Sequence, residues 1–148
     1  MSRWWTADVY PTPAPPRPAV FTAVELEYLA TQRLGRLATA KADGTLQNSP
    51  VGFTVNTTDG TIDIDGFRLA SSQKYRNVLT NGRAAFVVDD IVSVEPWRVR
   101  CMEIRADAEA IEVDGRPLIR LHPRRVISFG LDEDREAHEM TFHSRDIS

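Results

Sequence analysis

The stretch LASSQKYRNVLTNGRAAFVVDD, residues 69–90, decides how the chain is read. Ser71 or Ser72 is a suitable helix N-cap, and Tyr75, Val78 and Leu79 recur at helical spacing. Asn81-Gly82 predicts the end of that helix, because both residues tolerate a left-handed C-cap. Residues 84–88 follow as an apolar run short enough to be a fully buried strand. Lys74 falls in the first helical turn, where a cation opposes the helix dipole and costs up to ~1 kcal/mol. Lys41 and Lys74 are the two lysines against sixteen arginines, so a compact, freely rotating charge at this place asks for a reason. A bound anion supplies one. A helix N-terminus presents unpaired amides and partial positive charge, serine hydroxyls add donors, and phosphate is the natural guest. A solvated surface lysine is the alternative that the residues leave open.

Upstream, Phe21-Thr22-Ala23-Val24-Glu25-Leu26 has the form of a capped helix start running to about Arg33. Thr22 and Glu25 form the capping box and Phe21 staples to Leu26. The period then becomes alternating. Residues 34–40 predict a strand, Asp43-Gly44 a turn, and Val51, Phe53 and Val55 share one face of the next strand. Asp59-Gly60 turns again into Ile62 and Ile64, with Asp63 and Asp65 facing solvent, so an antiparallel meander is expected. Downstream, a long strand follows Pro96 and slips its alternation near Cys101-Met102, which predicts a bulge. Asp114-Gly115 turns, and residues 126–131 form the last strand. So many short antiparallel strands must close up to hide their edges. The expected fold is mainly β (α+β), a small Greek-key barrel with peripheral helices. A Pro-rich arm precedes it at residues 1–20 and an acidic tail follows at 133–148.

The bulk numbers narrow the function. One domain with a real core fits 148 residues at 42% hydrophobic content. Net charge is −3, and residues 132–148 carry −4 of it, leaving about +1 on the rest by subtraction. No basic field draws nucleic acid. No apolar run is long enough to span a membrane, and the N-terminus lacks a signal peptide's apolar segment. Cys101 is the single cysteine, which excludes an internal disulfide and fits a cytoplasmic protein. It reads as a small core side chain. His138 and His143 have no cysteine partner to make a metal site, and His122 before Pro123 reads as a turn former.

Taken together, SQKYRNV (72–78) and NGRAAFVVD (81–89) resemble the flavin phosphate motif of the pyridoxamine-phosphate-oxidase-like split β-barrel superfamily. GRLAT (35–39), Asp43-Gly44 and SPVGF (49–53) are similar to its first hairpin. DDIVSVEPWRVR (89–100) and HPRRVISFGLD (122–132) resemble the branch that uses the deazaflavin coenzyme F420. The likeness covers residues 21–132.

That resemblance implies a homodimer with two cofactor sites at the subunit interface. It puts Ser71, Ser72, Lys74 and Asn77 near the cofactor phosphate. Asn48, Ser49, Pro50, Val51 and Gly52 run along the ring system, and Trp97 and Arg98 come from the partner subunit. Related branches often carry arginine where Ser72 stands, so anchoring leans on Lys74 and Arg68. Arg76 and Arg100 are further cations for the coenzyme's acidic tail. The branch includes a reductase acting late in tetracycline-type antibiotic biosynthesis, which implies hydride transfer to the activated C=C bond of a small polycyclic enone. An FMN enzyme of the same fold and a non-catalytic F420- or heme-binding carrier are the competing expectations. Trp97 reads equally as core filler. The scarcity of nucleophiles and acid–base pairs suits hydride chemistry, in which a cofactor reacts and the protein positions it.

Overall fold

The computed structural model describes residues 19–132 and 139–148. Helix α1 (Ala23–Thr31) starts on the predicted capping box. Thr22 Oγ1 accepts from the Glu25 amide at 3.1 Å, and Glu25 Oε1 accepts from the Thr22 amide at 2.9 Å. Phe21 is buried in the core and Leu26 packs against it. Strands β1 (Leu34–Ala40), β2 (Leu46–Gly52), β3 (Thr54–Asn56) and β4 (Thr61–Ile64) follow. A single 3-10 turn (Leu69–Ser71) leads into α2 (Gln73–Thr80). The chain then forms β5 (Arg83–Ser93), β6 (Arg98–Val113), β7 (Arg116–Phe129) and β8 (His143–Asp146).

Every strand pairing is antiparallel, and the order across the sheet is β2-β1-β5-β6-β7-β4-β3. Laid flat, six strand spacings would part β2 from β3 by roughly 29 Å. Yet Gly52 and Thr54 are joined through Phe53 alone, a reach of roughly 7 Å. The sheet therefore curls until its edges meet without pairing, which is the split β-barrel. Phe53 fills the split, its ring edge-on to Phe86 with centroids 5.3 Å apart. Phe86 is fully buried and lies over Gly35, where a Cβ would stand 2.2 Å from its Cζ.

Several expectations need correcting. The meander does not form: β1–β2 and β3–β4 are separate hairpins at opposite ends of the strand order. Continuous alternation through Val51, Phe53 and Val55 hides the change of partner. Helix α2 leaves through Asn81 in an extended conformation (φ −135°), with no left-handed cap. Gly82 serves close approach instead, its carbonyl accepting from the Ala108 amide at 2.8 Å. Strand β5 is eleven residues long and alternates in burial over its first half. The register is regular through Cys101 and Met102, and the irregularities fall at Ile91/Ser93 and Arg105/Ala106. Asp63 is no solvated carboxylate: its cross-strand neighbour Arg120 grips it with two hydrogen bonds of 2.8 and 3.0 Å. His122 lies inside β7, with Nε2 2.8 Å from Glu109 Oε2. Strand β7 begins ten residues before the predicted last strand, and β8 adds a further strand from the tail, pairing Arg125↔Asp146 through Ser128↔His143.

Candidate functional site

The start of α2 is braced from within. Ser72 Oγ accepts from the Tyr75 amide at 3.3 Å and donates to the Leu69 carbonyl at 2.6 Å. Ser71 Oγ donates to the Arg68 carbonyl at 3.1 Å. Both hydroxyl protons are thus turned back into the 3-10 turn, not outward to an anion as the sequence reading had them. Arg68 sits in the left-handed region (φ 60°), with its guanidinium 5.4 Å from the centroid of the exposed Phe67 ring. Arg76 is engaged as well, donating to the Ser71 carbonyl at 2.6 Å and to Gln73 Oε1 at 3.0 Å.

Lys74 makes no hydrogen bond or ion pair among the described residues and is partly exposed. It shares a helix stripe with Asn77 and Val78, three and four positions on. Asn77 shows where that stripe faces. It is 2% exposed, and its Nδ2 donates to Thr39 Oγ1 of β1 at 3.0 Å and approaches Gln47 Oε1 of β2 at 3.5 Å. The stripe carrying Lys74 therefore lies toward β1 and β2. Asn77 itself is buried beneath that surface.

Strand β2 divides its predicted residues between two faces. Ser49 and Val51 stand opposite the inward Leu37 and Gly35 of β1, while Asn48, Pro50 and Gly52 are exposed opposite Ala38, Arg36 and Leu34. As an edge strand, β2 turns half of its backbone groups away from β1, which is where a proline is tolerated. Ser49 Oγ is buried without a hydrogen-bond partner, an arrangement that costs ~1–3 kcal/mol until something satisfies it.

Trp97 and Arg98 lie elsewhere. Trp97 ends the turn between β5 and β6 and is 48% exposed, and Arg98 opens β6 opposite Ser93. This tip stands ten residues along β5 from Arg83, roughly 33 Å from the end of α2. The hairpin is fastened lower down by a cluster the sequence did not announce. Arg100 grips Asp90 through Nε at 2.9 Å and Nη2 at 2.5 Å, and its guanidinium lies 4.9 Å from the Tyr28 ring centroid. The Tyr28 hydroxyl donates to Asp90 Oδ1 at 2.9 Å. The Arg100 hydrogen bonds hold the Asp90 carboxyl below its usual range against its partial burial, and burial beside Asp90 pushes the Tyr28 hydroxyl up. Arg100 is thus committed to Asp90. Cys101 is partly buried, and burial pushes its thiol up to about 11, which removes it as a nucleophile.

Two cavities, of about 610 and 870 Å³, lie on the α1–β7–β8 side. None of the twelve predicted site residues lines either one. The α2–β2 region lies outside both of these cavities. No group of metal-ligating side chains occurs among the described residues, and His138 lies outside them. No described helix is long and apolar enough to cross a membrane. Thr39 and Gln47, which meet Asn77, were missed. The available signal was a polar residue at an inward position of the LGRLATA alternation.

Comparison with known proteins agrees with this architecture. The chain is 40% identical over 136 residues, 86% of its length and 94% of the relative's, to a 5a,11a-dehydrotetracycline/5a,11a-dehydrooxytetracycline reductase of Streptomyces rimosus subsp. rimosus. Among solved structures, it superposes on a conserved hypothetical protein of Mycobacterium tuberculosis with a TM-score of 0.63. Identity there is 20%, over 77% of this chain and 88% of the other. A FAD-binding protein of Mesorhizobium loti gives a TM-score of 0.58 at 17% identity, over 73% and 93%. The pattern of the family described as pyridoxamine 5′-phosphate oxidase runs through residues 21–137, from the α1 cap past the end of β7, and the chain belongs to that family.

Proposed function

We propose that this protein is a reductase that uses reduced coenzyme F420 to saturate an activated C=C bond in a polycyclic enone of the tetracycline type. The observation that carries this reading is the 40% identity, over 94% of its length, to a dehydrotetracycline reductase. The residues present fit the coenzyme. Lys74 offers an uncommitted cation at a helix N-terminus, the Ser49 hydroxyl is an orphaned polar atom, and the edge of β2 has backbone groups to spare. Lys74 would hold the phosphate with Arg68 beside it. Residues 48–52 would run along the ring through backbone N–H and C=O groups. When bound, the reduced deazaflavin supplies hydride to the electron-poor carbon of the enone. The protein's share is orientation and exclusion of water. The predicted site contains no carboxylate or histidine, so the accepting end takes its proton from solvent or from a hydroxyl.

The same reading makes the protein a homodimer. A ring laid along the edge strand β2 needs a second wall, and Ile91, Val92, Val94 and Trp97 are large apolar side chains exposed around one hairpin tip. A patch of that kind marks an interaction surface. Trp97 and Arg98 of a second copy would then close the site. We place the enzyme in the cytoplasm, with a small-molecule substrate and no nucleic-acid or membrane partner.

Fluorescence titration with coenzyme F420 and with FMN tests the cofactor. Tighter binding of the deazaflavin is expected. Tighter binding of FMN would make this an FMN enzyme of the same fold, and tight deazaflavin binding without enone turnover would make it a carrier.

A further inference from the structure

We infer that Asn77 is a positioning residue that sets the first turn of α2 against β1 and β2, and with it the reach of Lys74. The inference rests on the reading of α2 and β2 as the cofactor site. Asn77 is 2% exposed and every polar atom of its amide is occupied. Nδ2 donates to Thr39 Oγ1 at 3.0 Å, with Gln47 Oε1 at the outer limit of 3.5 Å. Oδ1 accepts from Gln73 Nε2 at 2.6 Å. Gln73 Oε1 in turn accepts from Arg76, which reaches the Ser71 carbonyl. A continuous chain of hydrogen bonds thus runs from β1 into the turn on which Lys74 stands.

Packing alone would not fix this geometry. The buried Tyr75 ring and Val78 hold α2 to the sheet by apolar contact, which is non-directional. The Tyr75 hydroxyl adds one directional tie by donating to the Ile111 carbonyl of β6 at 3.3 Å, about which a short helix can still roll. An amide that donates to β1 and accepts from the helix adds a second directional tie, on the β1–β2 side, and stops that roll. Burying one is costly unless all its groups are paired, as they are here. Lys74 has no partner of its own among the described residues. Its reach is therefore set by where the helix sits, and a shift of ~1 Å matters at a site that must aim a ring.

The test compares two probes that differ only in a terminal phosphate: the hydroxydeazaflavin ribitol compound and its 5′-phosphate. Wild-type protein should bind the phosphate form more tightly. In Asn77→Leu that advantage should shrink about tenfold, while affinity for the phosphate-free probe changes less than about twofold. Thr39→Val removes the best sheet bond and keeps the remaining contacts, so it should show the same loss in smaller measure. It carries the test if Asn77→Leu fails to fold. An equal fall for both probes, or no change for either, would make Asn77 plain core support and overturn the inference. A wild-type protein with no phosphate advantage would overturn the site reading itself, which the wild-type measurement alone reveals.

Discussion

Arg145 of β8 clasps the carboxylate of Glu25, 120 residues earlier in the chain. Its Nη1 donates to Glu25 Oε2 at 2.8 Å, while Nη2 reaches Oε1 and the Val20 carbonyl. The same carboxylate completes the capping box of α1 and accepts from Ser128 at 3.3 Å. One side chain thus ties the helix start, the end of β7 and the C-terminal strand together. Burial alone would raise the Glu25 pKa, but Arg145, the Thr22 amide and Ser128 outweigh it and hold the carboxyl below its ordinary value.

Arg145→Met should therefore destabilise the fold by about 3 kcal/mol, at the lower end for breaking a buried pair because Arg145 is 31% exposed. Urea unfolding measures it. With the folded pKa below 4.5, the pair stabilises the protein above that pH, and the contribution drains away as pH falls through the depressed value. Wild type should consequently lose stability more steeply below pH 4.5 than Glu25→Gln does. Parallel acid limbs would mean that the carboxylate titrates as if exposed.

Gly35→Ala tests the packing at the split. The new methyl would stand 2.2 Å from the Phe86 ring, which is fully buried and cannot swing away. We expect a loss of about 3 kcal/mol, the upper range for overpacking. Pairing the substitution with Phe86→Leu should recover part of it in thermal unfolding. A neutral Gly35→Ala would mean that the ring is mobile.

Local signals were legible in the sequence and partners were not. The Thr22–Glu25 capping box, the span of β1 and the Ser72 cap are written within a few residues each, and all three stand in the structure. The alternation of Val51, Phe53 and Val55 says which way side chains point, not which strand lies alongside, so the change of partner at Phe53 was invisible. Strand β8, His143-Ser144-Arg145-Asp146, has no apolar pattern. Its place depends on backbone pairing with β7 and on a carboxylate in α1. The candidate site shows the same division. Lys74 stood out by residue type and position, whereas the inward direction of Asn77 depends on a hydroxyl 38 residues away.

For Lys74→Ala we expect affinity for the phosphate-bearing deazaflavin to fall by about 1.5–3 kcal/mol, the value of a charge-assisted hydrogen bond. Folding stability should hardly change, since removing a cation from a helix start relieves the dipole. Unaltered affinity would return Lys74 to the solvated surface.

Sedimentation should give about 33 kDa, twice the 16.6 kDa of one chain. Trp97→Asp combined with Val94→Asp should yield a folded monomer with weakened cofactor binding, because both residues are exposed on one chain. A wild-type monomer at micromolar concentration with cofactor present would remove the partner role of Trp97 and Arg98.

The most direct measurement follows the hydrogen itself. Deazaflavin deuterated at C5 is reduced enzymatically with a deuteride donor, so that the reduced form carries two deuteriums at C5. It is mixed with the protein and a dehydrotetracycline-type enone, and the product is read by mass spectrometry and NMR. We predict one deuterium per turnover, on a single face of the accepting carbon, with the second hydrogen drawn from solvent. An unlabelled product, or reduction that proceeds with reduced FMN and not with the deazaflavin, would contradict the account.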